Sequence, residues 1–162
     1  MKRGQTQQIF VWLFVLIVAT SILFFGIKLI KKTENLKDDV LVVNFFNDLD
    51  KKLSQYYYLD RGSSGEERFL LPGDARWVCF VNETGNFVEG NVPDNDGGLV
   101  DKLKDFSDVF VGPLNLYEEN RFNMSTKITL DNNPECFDVA NGALTINLKN
   151  EGVVKGINIT KG

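Results

Sequence analysis

The stretch IFVWLFVLIVATSILFFGI, residues 9–27, decides how the rest of the chain is read. It contains no charged side chain, and its only hydroxyl groups are those of Thr20 and Ser21. A helix needs about 20 apolar residues to cross the hydrocarbon core of a bilayer, and hydroxyl groups can bond back to the preceding turn. The sequence therefore predicts a transmembrane helix over residues 9–32, preceded by a short basic leader, residues 1–8.

A buried core helix and a cleaved secretory signal are the alternatives for this segment. A secretory signal has an apolar region of roughly 7–15 residues that ends in a small-x-small cleavage site. Here the uncharged run is longer, and Lys28, Lys31 and Lys32 follow it. We therefore expect the segment to stay in the protein, with the membrane as its first partner.

Charge is divided unevenly along the chain of 162 residues. Residues 1–32 hold five basic side chains and no acidic ones, which leaves 13 basic against 22 acidic side chains, a net charge of −9, in the remainder. Such a domain repels phosphate backbones, so we expect no nucleic acid as a partner. The simplest role of the acidity is solubility.

The chain contains no histidine. Histidine is the commonest general base and zinc ligand, and its absence excludes Ser-His and Cys-His catalytic pairs. Paired carboxylates can act alone, but no pair stands out among the 22 acidic residues. We predict no catalytic residues, no metal ligands, no cofactor and no enzyme; a hydrolase built on carboxylates is the weakest alternative.

Two oxygen-rich segments, 94–98 and 131–135, are similar in composition to calcium-binding loops. An EF-hand loop requires an oxygen ligand at its fifth position, Gly at its sixth and Glu at its twelfth. Counted from the start of the first segment, these positions hold Gly98, Leu99 and Asp105, so the spacing fails. Both segments are predicted to be turns.

An amphipathic pattern extends the helix beyond the anchor. We expect one helix, bent or straight, from about residue 8 to residue 57, with residues 33–58 as its amphipathic extension. The favoured role of its apolar stripe is burial against the following sheet, and a partner-helix interface is the alternative. The stripe consists of Leu36, Val40, Val43, Phe46, Leu49, Leu53 and Tyr57.

After a loop at residues 60–65, short segments rich in β-branched and aromatic residues predict strands. The predicted fold class is α+β: a long N-terminal transmembrane-plus-amphipathic helix packed on an antiparallel sheet, with a β-rich domain over residues 59–162. A short helix is expected at residues 99–106, with Leu99, Leu103 and Phe106 facing inward. The predicted strands are 68–71, 76–82, 108–111, 121–130, 136–140, 143–150 and 153–160, and the predicted hairpin turns are Asn141-Gly142 and Asn150-Glu151-Gly152.

Cys79 and Cys136 suit one disulfide in an oxidising compartment. Two buried free thiols in a cytosolic domain are the alternative, and no further soft ligand nearby supports a metal pair. Three Asn-x-Ser/Thr sequons give candidate glycosylation acceptors at Asn82, Asn123 and Asn158. These features favour an extracytoplasmic domain, whereas the count of basic residues beside the anchor slightly favours a cytoplasmic one.

The N-terminal residues KRGQTQQ, 2–8, run directly into the apolar helix and resemble the leader of archaeal type IV pilin-like proteins, which carry a class III signal peptide. In that family, a prepilin peptidase cuts after the Gly that ends a basic segment. The resemblance implies processing at Arg3, Gly4 and Gln5, with the cut between Gly4 and Gln5. It also implies a single-pass cell-membrane protein with its N-terminus inside and its C-terminal domain outside.

The match to the family pattern, Gln-x-Ser-x-Glu with a later Leu, is partial. Gln5 and Leu13 match, but Gln7 stands in place of Ser and Ile9 in place of Glu. In the family, that Glu pairs with a neighbouring subunit inside the apolar bundle, and some minor, tip-located pilins lack it.

A second set of features is similar to small membrane-anchored archaeal proteins and implies no activity. The features are the turn at residues 71–73, the strand around Cys79 and the late Cys136. Together the resemblances imply a pilin-like structural or surface subunit that contacts other pilin-like subunits through its N-terminal helix. A stand-alone membrane-anchored binding module of the cell envelope is the alternative.

Overall fold

The computed structural model describes residues 3–82, 85–93 and 96–162, with the backbone alone for residues 3–9 and 29–36. The chain divides into two compact units, Met1–Lys37 and Asp38–Gly162. The fold is α+β, as predicted, with an N-terminal apolar helix and both antiparallel and mixed sheets. The helices are α1 (Arg3–Tyr57) and α2 (Gly97–Leu103); the strands are β1 (Ser64–Leu70), β2 (Trp77–Phe80), β3 (Val109–Gly112), β4 (Arg121–Phe122), β5 (Ile128–Thr129), β6 (Glu135–Asp138), β7 (Ala143–Asn150) and β8 (Ile157–Lys161).

Helix α1 is continuous from Arg3 to Tyr57, which confirms the prediction of one helix and extends it toward the N-terminus. No proline occurs within these 55 residues, so no backbone donor is missing from the helical ladder. The helix ends where the buried side-chain amide of Asn150 reaches its last carbonyl groups.

The buried face of α1 differs in part from the predicted stripe. Phe46, Leu49 and Leu53 are buried as expected, but Val40 and Val43 are 57 % and 40 % exposed. The inward residues are instead joined by Val42 and Phe45, and Tyr57 is half-buried. At 3.6 residues per turn, Val40 lies almost opposite the face defined by Leu49. The side chain of Leu36 lies outside the described residues.

The strands form two four-stranded sheets rather than the single antiparallel sheet that was predicted. The first sheet has the order β1-β7-β8-β5 and the second the order β4-β3-β2-β6. The β5·β8 pair is parallel, and the other pairs between the named strands are antiparallel. The sequence could not show this division, because alternation identifies a strand but not its sheet.

The Asn141-Gly142 turn is confirmed, and it carries the chain from one sheet to the other. Both residues have positive φ, 52° and 67°, a conformation that Asn and Gly adopt more readily than other residues. The main-chain groups of Ala140 and Ala143 exchange two hydrogen bonds of 3.0 Å across the turn. Strand β7 begins directly after it, at the predicted residue.

The predicted strand 121–130 is wrong, because the chain leaves the second sheet after Phe122 and joins the first at Ile128. Between them, side-chain carboxylates replace strand partners as acceptors for the backbone donors. Met124 N donates to Asp108 Oδ2 at 3.0 Å, and Ser125 N donates to Asp50 Oδ1 at 2.8 Å. Because these main-chain donors are bonded to side chains, strand pairing does not continue through residues 124 and 125.

Other boundaries also differ from the predictions. Residues 153–156 form the turn before β8, because Gly156 has a φ of 86° and lies against the carbonyl of Lys127. Strand β1, at the edge of the first sheet, begins at Ser64, inside the predicted loop, because all seven of its residues pair with β7.

The inward face of α2 also differs from the prediction. Val100 is buried and Leu99 is half-exposed, so the predicted inward face is rotated by one residue. Phe106, 66 % exposed, lies in the short 3₁₀ helix that follows.

The second half of α1 and the inner faces of both sheets share one core. Phe45 meets Phe69 edge-on, and Phe46 stacks on Phe122. A second apolar cluster covers the opposite face of the second sheet, where α2 contributes Val100. The second cluster contains Trp77, Cys79, Val81, Val92, Val100, Phe110 and Leu114.

Candidate functional site

The apolar segment of α1 from Phe10 to Lys28 is the first candidate site. It is 19 residues long with a mean hydropathy of 2.7, and none of it is buried. Thr20 Oγ1 donates to the carbonyl oxygen of Leu16 at 2.9 Å, and Ser21 Oγ donates to that of Ile17 at 2.8 Å. The polar hydroxyl groups are thus bonded within the helix, and the segment is long and apolar enough to cross a bilayer.

The predicted processing residues Arg3, Gly4 and Gln5 lie in the first turn of α1. Their side chains fall outside the described residues, as do Met1 and Lys2. Cleavage between Gly4 and Gln5 stays a prediction.

Cys79 and Cys136 form a disulfide between two neighbouring strands. Cys79 in β2 lies directly opposite Cys136 in β6, with their Cα atoms 4.0 Å apart. Cys79 is fully buried in the second cluster, and Cys136 packs against it. Such a bond indicates an oxidising compartment, since cytosolic thiols are kept reduced.

The three candidate glycosylation acceptors lie in different settings. Asn123 is exposed and directly follows β4, whereas Asn158 is half-buried in β8 between β7 and β5. The main chain of Asn82 is held on both sides by Asn133, through bonds of 3.0 Å and 2.8 Å. The rest of the Asn82 sequon, residues 83 and 84, lies outside the described residues.

The two oxygen-rich segments that were predicted to be turns have different outcomes. In the first, residues 94 and 95 are not described, Asp96 lies in a turn, and residues 97–98 are the first two of α2 rather than part of a turn. In the second, residues 131–134 form bends, and Glu135 is the first residue of β6. There, Glu135 Oε2 accepts a hydrogen bond from Asp131 N at 3.1 Å, while burial raises the pKa of the Glu135 carboxyl group. Among the described residues, no group of three or more His, Cys, Asp or Glu side chains could hold a metal ion.

A groove of about 620 Å³ lies between the second half of α1 and β1, the edge strand of the first sheet. Lys52 Nζ lies 3.0 Å from Glu67 Oε2, and the Tyr56 hydroxyl donates to Glu67 Oε1 at 3.2 Å. Charged and polar side chains such as Asp48, Lys51 and Gln55 line the helix side of the groove. The apolar side chains of Leu41, Phe45, Phe69 and Leu70 also line it, so the groove beside the edge strand presents both polar and apolar surface.

Sequence reasoning missed three polar residues: Asn150 and Tyr117, which are buried, and Glu135, which is half-buried. Asn150 is 3 % exposed and Tyr117 is 7 % exposed. The Tyr117 hydroxyl has no hydrogen-bond partner among the described residues, and burial raises the pKa of Tyr117 to about 12, with the negative charges of Asp74, Asp38 and Asp39 adding to the effect. No local sequence signal distinguishes these residues from exposed polar residues in turns.

No protein-family model, curated protein or solved structure matches this chain.

Proposed function

We propose that the protein is a single-pass, membrane-anchored, extracytoplasmic pilin-like subunit with a structural or surface role. The observation that carries the proposal is the contrast along α1. Its segment from Phe10 to Lys28 is wholly exposed and apolar, whereas its residues from Val42 to Leu53 help to form the core of a β-rich domain. One helix that supplies both a hydrophobic anchor and a domain core is the arrangement expected of a pilin-like chain.

The disulfide supports the outward placement of the domain. Cys79 and Cys136 are joined within the second unit, and such bonds persist in oxidising compartments. The apolar segments of neighbouring copies would pack side by side in the membrane, so the partners are the bilayer and other pilin-like subunits.

The state of the N-terminus tests the pilin-like proposal. Mass spectrometry of the full protein, co-expressed with a prepilin peptidase, should find a chain that begins at Gln5. A Gly4→Leu variant should keep Met1, and a Gly26→Ala variant, whose added Cβ meets nothing within 4 Å, should be processed normally. An intact Met1 in the unaltered protein would overturn the proposal.

Orientation requires a separate measurement. Protease added outside intact cells should degrade the domain after residue 38, while full protection would contradict an extracytoplasmic placement. Disruption of the membrane supplies the positive control, because it exposes the domain in either orientation.

The groove beside β1 favours a second candidate function, a stand-alone binding module of the cell envelope. A photo-crosslinking residue in place of Gln55, an exposed residue of the groove wall, would capture a ligand in intact cells. The same probe at Lys102, exposed on α2, is the matched control. An intact Met1 together with a specific product at position 55 would favour this function, and identical products at both positions would count against it.

A further inference from the structure

The turn between β7 and β8, residues 151–156, exposes two adjacent valines. Val153 is 77 % exposed and Val154 is 83 % exposed, and neither belongs to the two apolar clusters. Turn positions are normally occupied by Gly, Asn, Asp, Ser or Pro, so two neighbouring aliphatic side chains at the outermost point of a turn are unusual. Their exposure leaves apolar surface in water.

Contacts from neighbouring segments define the backbone of this turn. Lys127 Nζ donates to the carbonyl oxygen of Val154 at 2.9 Å, and the Thr129 hydroxyl donates to that of Lys155. Gly156 N donates to the carbonyl oxygen of Gly152 at 2.8 Å. The valines are therefore presented by a hydrogen-bonded turn.

Basic side chains surround the valines, although residues 33–162 carry a net charge of −9. The side chains of Lys149 and Lys155 are 56 % and 62 % exposed, and Glu151 lies between them, 3.8 Å and 3.5 Å from their ammonium nitrogens. Lys127 adds a third ammonium group, and Arg61 packs against Gly152. Glu151 carries one negative charge and so offsets only part of the positive charge of these lysines.

We propose that this turn docks on a lipid bilayer surface that contains anionic headgroups. Val153 and Val154 enter the boundary between headgroups and acyl chains, and Lys127, Lys149 and Lys155 interact with lipid phosphates. A small apolar tip with surrounding cations suits an interfacial contact, because apolar burial and attraction to anionic lipid both contribute to binding. Two aliphatic side chains are too few for a stable protein interface, which usually buries more than about 1,000 Å². This inference does not rest on the pilin-like proposal.

The full chain in discs of phosphatidylcholine provides the test, since the disc accommodates the apolar helix. An environment-sensitive dye is attached to Val154→Cys, while Cys79 and Cys136 remain in their disulfide. Val88→Cys, at a valine that is 50 % exposed outside the turn, is the matched control. Vesicles with or without phosphatidylglycerol are then added, and a parallel sample uses discs that themselves contain phosphatidylglycerol.

The dye at position 154 should shift to shorter wavelength only with phosphatidylglycerol, and added salt should reverse the shift. Lys149→Gln with Lys155→Gln should weaken the apparent affinity for phosphatidylglycerol vesicles, read from the dye shift, roughly 25-fold, at about fivefold for each lysine. Lys102→Gln with Lys161→Gln, at exposed sites outside the turn, should leave it unchanged. The proposal is overturned by no shift in either lipid format, by equal shifts at positions 88 and 154, or by a lipid-independent shift that grows with protein concentration.

Discussion

The side-chain amide nitrogen of Asn150 lies 2.9 Å from the carbonyl oxygen of Tyr56 and donates a hydrogen bond to it. The same amide donates to the carbonyl oxygens of Tyr57, at 3.1 Å, and Leu59, at 2.8 Å. Its Oδ1 atom accepts a hydrogen bond from Gly152 N at 2.7 Å. The last residue of β7 therefore caps the last turn of α1 and begins the turn to β8.

Replacement of Asn150 by alanine should destabilise the domain by about 1–3 kcal/mol, because partly buried carbonyl groups at the end of α1 lose their donor. Urea unfolding of the full chain in detergent would measure the change in free energy. Asn147→Ala is the matched control on the same strand, since Asn147 Oδ1 is buried with no hydrogen-bond partner among the described residues. Equal losses in the two variants would contradict the capping role.

The orientation of α1 in the domain makes a second prediction. Val42 is fully buried and Val40 is 57 % exposed, although they are only two residues apart. Val42→Ala should lower the free energy of unfolding by roughly 1–3 kcal/mol, because it removes buried methyl groups and leaves a cavity. Val40→Ala should change it by less than about 0.5 kcal/mol. A larger effect at Val40, measured in detergent, would show that the predicted stripe was the buried face.

The disulfide makes a third prediction. Its cysteines are 57 positions apart in sequence, so the bond closes a long loop. In the chain-entropy account, such a bond stabilises the folded state by about 4 kcal/mol. The double variant Cys79→Ala/Cys136→Ala should therefore have a lower melting temperature than the oxidised protein. Reductant should lower the melting temperature of the unaltered protein and should not change that of the double variant. An equal decrease in both proteins would point to a cause other than the disulfide.

The long periodic elements could be predicted from the sequence. The apolar run before Lys28 and the alternation in β7 are each specified by residues within the element. The strands β2 and β3 are buried at every position, so they show no alternation that would reveal a second apolar layer. That layer, the division into two sheets and the cap by Asn150 depend on contacts between distant residues. Local patterns do not contain that information.

The candidate sites likewise include one that the sequence predicted and one that it did not. Cys79 and Cys136 were paired from sequence because the chain has only two cysteines, which leaves one intramolecular pairing. The exposed turn at Val153 and Val154 was instead predicted to be part of a strand, because β-branched residues favour strands. Its glycines and the hydrogen bond from Lys127 determine the turn, and that bond joins residues far apart in sequence.

Tyr117 makes a prediction at alkaline pH. Burial raises its pKa from 10.0 to about 12, so between these values the folded state retains a proton that the unfolded state releases. The stability contributed by the neutral phenol is present below pH 10 and is lost as the pH rises toward 12. Tyr117→Phe should therefore lose less stability across this range than the unaltered protein, and it should not be destabilised at pH 7. Tyr58→Phe, at a residue that is 84 % exposed, is the control for general alkaline effects.

Glu135 makes the corresponding prediction at acidic pH. Burial raises the pKa of its carboxyl group above the ordinary 4.5, although main-chain hydrogen bonds from Asp131 and Asn132 oppose the shift. The folded state therefore favours the protonated form, and the ionised form at pH 7 reduces stability. Glu135→Gln should be more stable than the unaltered protein at pH 7, and the difference should shrink as the pH falls through the raised pKa toward 4.5 and below. Thermal unfolding from pH 4 to pH 7 measures this, with Glu66→Gln at an exposed position of β1 as control. A Glu135→Gln variant that is less stable at pH 7 would show that the hydrogen bonds outweigh burial.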